Sequence, residues 1–180
     1  TAIKMYNKVH NHWNNYLKKM ISEEQSETNT DIKKQLKTKI EFIKQTDKAV
    51  IVSQSQNEIR DMKEKGLDIL PHRKRYNKED LDTNFKNPEH PLRMVFVCAM
   101  WLTGFDVPSC STLYLDKPMK NHTLMQAIAR ANRVHKNKTS GAIVDYIGVF
   151  RNLQKALSIY GTGGEGESPI IDKTALLKQL

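Results

Sequence analysis

Cysteine is scarce in this chain of 180 residues: only Cys98 and Cys110 occur, and they form no CxxC pair. That spacing excludes a disulfide framework and the usual zinc or thiol-redox motifs. It points instead to a reducing, intracellular and cytoplasmic setting. Long hydrophobic runs are missing too. No segment approaches the roughly 18 apolar residues of a membrane span, and the mean hydropathy is -0.62, so no membrane partner is expected. Residues 1–16 are amphipathic and lack a signal-peptide core, and the absent initiator Met reads as the mark of an excised fragment. The chain contains no G-x-x-x-x-G-K-[ST] phosphate loop and no lysine-containing carboxylate pair suited to a nuclease centre. His72, His90, His122 and His135 lack metal-ligand spacing and read as surface or local hydrogen-bonding residues, so no metal site is expected.

Acid is the charge in short supply. Against 29 Lys+Arg stand 20 Asp+Glu, a formal net charge of +9. Between Lys117 and Lys138 there are six basic residues and no acid. Such an excess favours a polyanion partner.

The chain divides into four stretches. Residues 1–46 read as a helical segment, with Ile3, Tyr6, Val9 and Trp13, then Ile32, Leu36, Ile40 and Ile43, near a 3.6-residue period. The polar residues 22–30 read as a loop between two helices, with Asp31 helping to cap the second. Trp13 reads as a packing anchor. From residue 47 to 160 the pattern is mixed α/β. The β-branched run 48–53 leads into a helix over 54–65 closed by Gly66. The basic run 71–76 fits a solvated face or a nucleic-acid contact, and 84–91 reads as loop. Residues 92–100 form an almost unbroken apolar strand, as expected when both faces of a parallel sheet are covered. Further strands are expected at 111–115 and 142–145, with helices at 122–134 and up to about 160. Alternation of this kind predicts a mostly parallel sheet with helices on both faces. The stretch 161–169, with four glycines in nine residues, reads as a linker, and 170–180 as the start of a further helical region.

On the predicted helix at 122–134, Leu124, Ala127, Ile128 and Ala131 form one apolar stripe, and Gln126, Arg130 and Arg133 fall opposite. Spacing alone fits an ordinary basic face. It also fits a pair of guanidinium forks aimed at a phosphate that gains charge during transfer.

Two segments carry a family resemblance. TGFDVP at 103–108 resembles motif V of superfamily 2 helicases and translocases, and QAIARANR at 126–133 resembles their motif VI. The block from Phe96 to Tyr160, with VSQSQNE at 52–58 and PHR at 71–73, resembles the motor, or restriction, subunit of type I restriction-modification enzymes. The resemblance implies a RecA-like fold of the P-loop NTPase type, the second of two motor domains. By the same resemblance Arg133 is similar to an arginine finger toward the γ-phosphate of ATP, assisted by Arg130. Gln126 corresponds to a residue linking the nucleotide to domain closure, Asp106 to an acid that positions motif VI or the nucleotide sugar, and Gly104 to a nucleotide-side position. Thr103 and Gly104, with Lys117 and Lys120 of the basic stretch, correspond to coupling with the DNA backbone. Ala129 stands where most such enzymes have Gly, which argues against a typical RNA helicase.

The resemblance further implies ATP and Mg²⁺ as cofactors, with the Mg²⁺ ligands on an absent first motor domain. Implied partners are double-stranded DNA, that first RecA-like domain, and specificity and methylation subunits. The implied activity is ATP-driven translocation serving endonucleolytic cleavage by the parent, the fragment alone being inactive. Another superfamily 2 translocase or helicase, or an inert RecA-like interaction or DNA-binding module, fits the same residues.

Overall fold

The computed structural model describes residues 2–98, 101, 105–119, 121–136, 138 and 140–149. Helix α1 (Ala2–Ser26) is followed after three residues by α2 (Thr30–Gln45). Residues 22–26, expected in a loop, continue α1 instead. Glu and Gln are good helix formers, Lys19 pairs with Glu23 one turn on, and Glu24 meets Lys33 and Lys37 of α2 at 3.9 and 3.8 Å. The break falls at Glu27, Thr28 and Asn29. Asn29, not Asp31, caps α2, its side chain accepting from the Asp31 and Ile32 amides at 2.9 and 3.2 Å. Asp31 sits in the first turn, where its charge suits the helix dipole. Because the cap satisfies two otherwise orphaned amides, Asn29→Ala should cost about 1 kcal/mol of stability in urea unfolding of this chain.

The first sheet joins β1 (Asp47–Val52) and β2 (Leu92–Cys98) in parallel, with Ala49 opposite Val95 and Val50 opposite Phe96. Side chains of β1 alternate between two cores, as a strand's period of two requires. Ala49 and Ile51 pack with Leu81 and Leu92, whereas Val50 packs with Ile3 and Ile69. Helices therefore cover both faces. On one side lie α4 (Leu70–Lys78) and α5 (Leu81–Lys86), which bring Tyr76, Leu81 and Phe85 to the first core. On the other lie the start of α1 and α3 (Glu58–Glu64), through Tyr6 and Met62. A third cluster, Met20, Ile40 and Ile43 with Trp13 and Leu17, binds α1 to α2. Trp13 also donates to the Ile43 carbonyl at 3.2 Å.

Helix α5 lies partly where a loop was expected from 84 onward. Leu81 and Phe85, one turn apart, give it an apolar face, and Asp80 accepts from the Thr83 amide and hydroxyl. Helix α3 is shorter than the 54–65 expected, and the turn after it uses Gly66 at φ 68°, a left-handed conformation natural to glycine.

The arginines of the basic run 71–76 are absorbed by the fold. Arg75 pairs with Asp47 and donates to the Lys48 carbonyl at 2.9 Å. Arg73 pairs with Glu58 and donates to the carbonyls of Val52 and Ser53. Burial is the largest single influence and opposes the charge on Asp47, but the Arg75 hydrogen bonds and charge, the Lys48 amide and the charge of His90 together outweigh it and hold that carboxyl below its ordinary range.

The second sheet joins β3 (Thr112–Leu115) and β4 (Ala142–Asp145), also parallel, with α6 (Asn121–Ala131) between them in sequence and packed on both. Among the described residues the strands form two separate two-stranded sheets rather than the continuous sheet expected. The mixed α/β class, parallel pairing and covering helices are present. The expected helix up to 160, the linker 161–169 and the segment 170–180 lie outside the described residues. No helix among the described residues is long and apolar enough to cross a membrane.

Candidate functional site

Beyond β2, Trp101 stands at φ 65°, and the next described segment is 105–110. Trp101 and Phe105 stack at 4.0 Å between centroids, and Phe85 of α5 stacks against both. Two residues on, Val107 is 4% exposed and anchors the segment, with the Cys110 amide donating to the Val107 carbonyl at 3.0 Å. Asp106, between the buried Val107 and the stacked Phe105, is left at the surface. Thr103 and Gly104, the expected coupling residues just before it, lie outside the described residues.

Helix α6 buries Leu124, Ala127 and Ala131 completely, and Ile128 is half-buried. Gln126 and Arg130 are half-buried on other faces, as an apolar stripe at this period dictates. Arg133 departs from the expectation. The helix was predicted to run to 134, but it ends at Ala131, so Arg133 stands on the exit segment and not on the helical face of Gln126 and Arg130. Its position is set by a contact across the chain: its Nη1 donates to Asp106 Oδ2 at 2.6 Å.

The exit segment folds back at once. His135 and Lys138 bond to each other's backbones, with Lys136 between them at φ 45°. Lys138 Nζ then donates to the carbonyls of Pro108, Cys110 and Ala131 at 2.9, 2.6 and 2.8 Å. Gly141 follows, its amide donating to Asn132 Oδ1 at 3.3 Å, and an added Cβ there would collide with the Ala131 carbonyl. The last residue of α6, Ala131, thus lies against Gly141 and gives its carbonyl to Lys138, which also holds the 105–110 segment.

Magnitude separates the roles of these groups. The Arg133 and Asp106 side chains are 44% and 50% exposed, and ion pairs so open to water contribute only about 0–1 kcal/mol to stability. The pair does little for the fold, yet it holds a guanidinium in a defined place. Asp106 is a polar partner of that guanidinium, and a guanidinium fork suits anionic oxygens. Lys117 is exposed just past β3, and Lys120 lies outside the described residues. Cys110 is an unpromising nucleophile: burial pushes its thiol up, against the pull of Lys138. Among the described residues no group of three or more His, Cys, Asp or Glu side chains could hold a metal ion.

Sequence reasoning expected Asp106 to position the 126–133 segment or a nucleotide sugar, and in the structure Asp106 meets Arg133 of that segment; it missed Lys138. Lys138 was visible only as one charge of the basic stretch. Its role depends on the tight 135–138 turn, for which periodicity offers no signal.

The chain is similar to known proteins along much of its length. It is 56% identical over 96 residues to the MjaIXP endonuclease subunit of Methanocaldococcus jannaschii, covering 53% of this chain and 9% of that one. It is 53% identical over 94 residues to the type I restriction enzyme HindI endonuclease subunit of Haemophilus influenzae, covering 50% and 9%. The SsaAORF53P endonuclease subunit of Staphylococcus saprophyticus is 41% identical over 73 residues. The stretches matched in the first two are therefore less than a tenth of those relatives' length. A family model described as type I restriction enzyme subunit R domain 3 matches residues 1–148, taking α1 and α2 together with both sheets. With most of its length matched by that model, this chain belongs to the family of type I restriction enzyme R subunits.

Proposed function

We propose that this chain is the second RecA-like motor domain of an ATP-dependent DNA translocase, the restriction subunit of a type I restriction enzyme. In this reading Arg133 is the arginine finger. The observation that carries it is the Arg133–Asp106 contact at the end of α6. It joins the segment resembling motif V to the one resembling motif VI, where a change at one is felt at the other. A family numbering of this piece as domain 3 agrees with a parent whose nuclease domain and first motor domain come earlier in the chain.

The residues present fit a nucleotide phosphate. Arg133 and Arg130 offer charge-assisted donors to oxygens whose charge grows during phosphoryl transfer, and Gln126 lies one turn before Arg130 on α6. Asp106 keeps the Arg133 fork oriented, which limits the reorganisation needed when a phosphate replaces or joins it. ATP and Mg²⁺ would be gripped by the first motor domain, since this chain lacks the phosphate loop. Closure of the two domains would bring the arginines to the γ-phosphate, and reopening after hydrolysis would reset them.

Thr103, Gly104, Lys117 and Lys120 would pass each cycle to the phosphate backbone of duplex DNA. Such contacts carry little base information, so a specificity subunit would supply recognition and a methylation subunit would report the state of the site. The parent would both hydrolyse ATP and cut DNA; this piece alone would do neither.

The test is ATP hydrolysis by the full-length parent in its assembled complex, with and without duplex DNA carrying an unmodified site. Hydrolysis that depends on such DNA supports the motor reading. DNA binding without stimulated hydrolysis would overturn it and leave an interaction module.

A further inference from the structure

We propose that Lys138 is a positioning residue for Arg133, tying the 105–110 segment and the end of α6 into one body; this rests on the motor reading above. An ammonium has three donors, and three carbonyls receive them here: Pro108 at 2.9 Å, Cys110 at 2.6 Å and Ala131 at 2.8 Å. Two belong to the segment that carries Asp106. The third is an end carbonyl of α6, one of the acceptors a helix leaves unpaired at its C-terminus, and a cation there also suits the helix dipole.

The chain from Ala131 to Lys138 therefore meets the 105–110 segment twice. Arg133 reaches Asp106, and Lys138 reaches the carbonyls just beyond it. The first contact is half open to water and weak by itself. The second is partly buried and fixes the spacing on which the first depends. Without the ammonium, the segment and the helix end are free to separate, and the Arg133 fork loses its defined origin. An arginine could not substitute, because its planar fork cannot converge on three carbonyls as a tetrahedral ammonium does.

The experiment is steady-state, DNA-stimulated ATP hydrolysis by the full-length parent complex. Lys138→Met and Lys138→Gln are each made in the native and in the Arg133→Ala background, with folding followed by circular dichroism. If Lys138 acts by placing Arg133, each variant lowers kcat about tenfold with KM for ATP changed less than about twofold. On the Arg133→Ala background the same substitutions add less than about a twofold loss, because the group being positioned is already gone.

Equal losses on both backgrounds would overturn the proposal, since a general weakening of the domain is additive. So would unchanged kcat, a rise confined to KM, or unfolding of both variants at the assay temperature. If Arg133→Ala reduces turnover while the Lys138 variants do not, the positioning role alone fails. If Arg133→Ala itself leaves turnover intact, the motor reading fails.

Discussion

Arg133→Ala in the full-length parent is expected to lower DNA-stimulated ATP turnover by about two or more orders of magnitude, with ATP binding largely kept. The size follows from the class of group. A guanidinium that meets a phosphoryl group as its charge develops acts on the transition state far more than on the bound nucleotide, so kcat carries the loss. Folding cannot account for a loss that large. Arg133 is 44% exposed at its side chain, and a pair so open to water is worth about 0–1 kcal/mol. Arg133→Lys keeps the charge but not the fork, and turnover should remain low. Single-turnover hydrolysis and equilibrium nucleotide binding on the same preparations separate the effects. Unchanged turnover would remove Arg133 from the chemistry.

How far these features could be read from residues alone follows physical lines. Strand β2 was legible because a parallel strand covered on both faces is apolar along most of its length, as the run from Met94 to Cys98 is. Strand β4 was placed at 142–145, where it stands. The buried face of α6 was legible because Leu124, Ala127 and Ala131 recur at helical spacing. Boundaries were harder. The continuation of α1 through residues 22–26 rests on helix-forming Glu and Gln, and on Glu24 meeting lysines of α2, a tertiary contact. The early end of α6 coincides with contacts of the Ala131 carbonyl to Lys138 and of Ala131 to Gly141, both from farther along the chain. Neither leaves a periodic trace.

The basic run 71–76 shows the same limit from the other side. Net charge makes Arg73 and Arg75 resemble a nucleic-acid face, but Arg73 meets an acid 15 residues away, and Arg75 meets one 28 residues away besides Glu79 a turn on. Charge counting has no access to such pairs. These arginines close the ends of β1, and the excess charge left for a polyanion must come from elsewhere on the surface.

Arg73→Met should be among the most damaging substitutions in the fold, costing about 3–5 kcal/mol. Arg73 meets Glu58 with both arms of its fork, Nε to Oε1 at 2.9 Å and Nη2 to Oε2 at 2.6 Å. The side chains are only 14% and 9% exposed. Removing the guanidinium strands a shielded carboxylate and takes donors from the Val52 and Ser53 carbonyls at the end of β1. Against a total stability of about 5–15 kcal/mol for a typical domain, such a loss is large.

The pH dependence separates this cause from simple loss of packing. The Arg73 hydrogen bonds hold the Glu58 carboxyl below its ordinary value, against the opposing effect of burial. A carboxyl depressed in the folded state contributes stability that is complete above its unfolded value, about 4.3, and is lost as pH falls through the folded one. Native protein should therefore weaken in acid. In Arg73→Met the depression is gone and burial favours the protonated acid, so acid relieves the variant. The gap between the two should narrow as pH drops below about 4.3. Urea unfolding of both proteins from pH 7 to pH 3, followed by tryptophan fluorescence, measures it. A gap that stays constant across that range would mean that the loss comes from packing and not from a stranded charge.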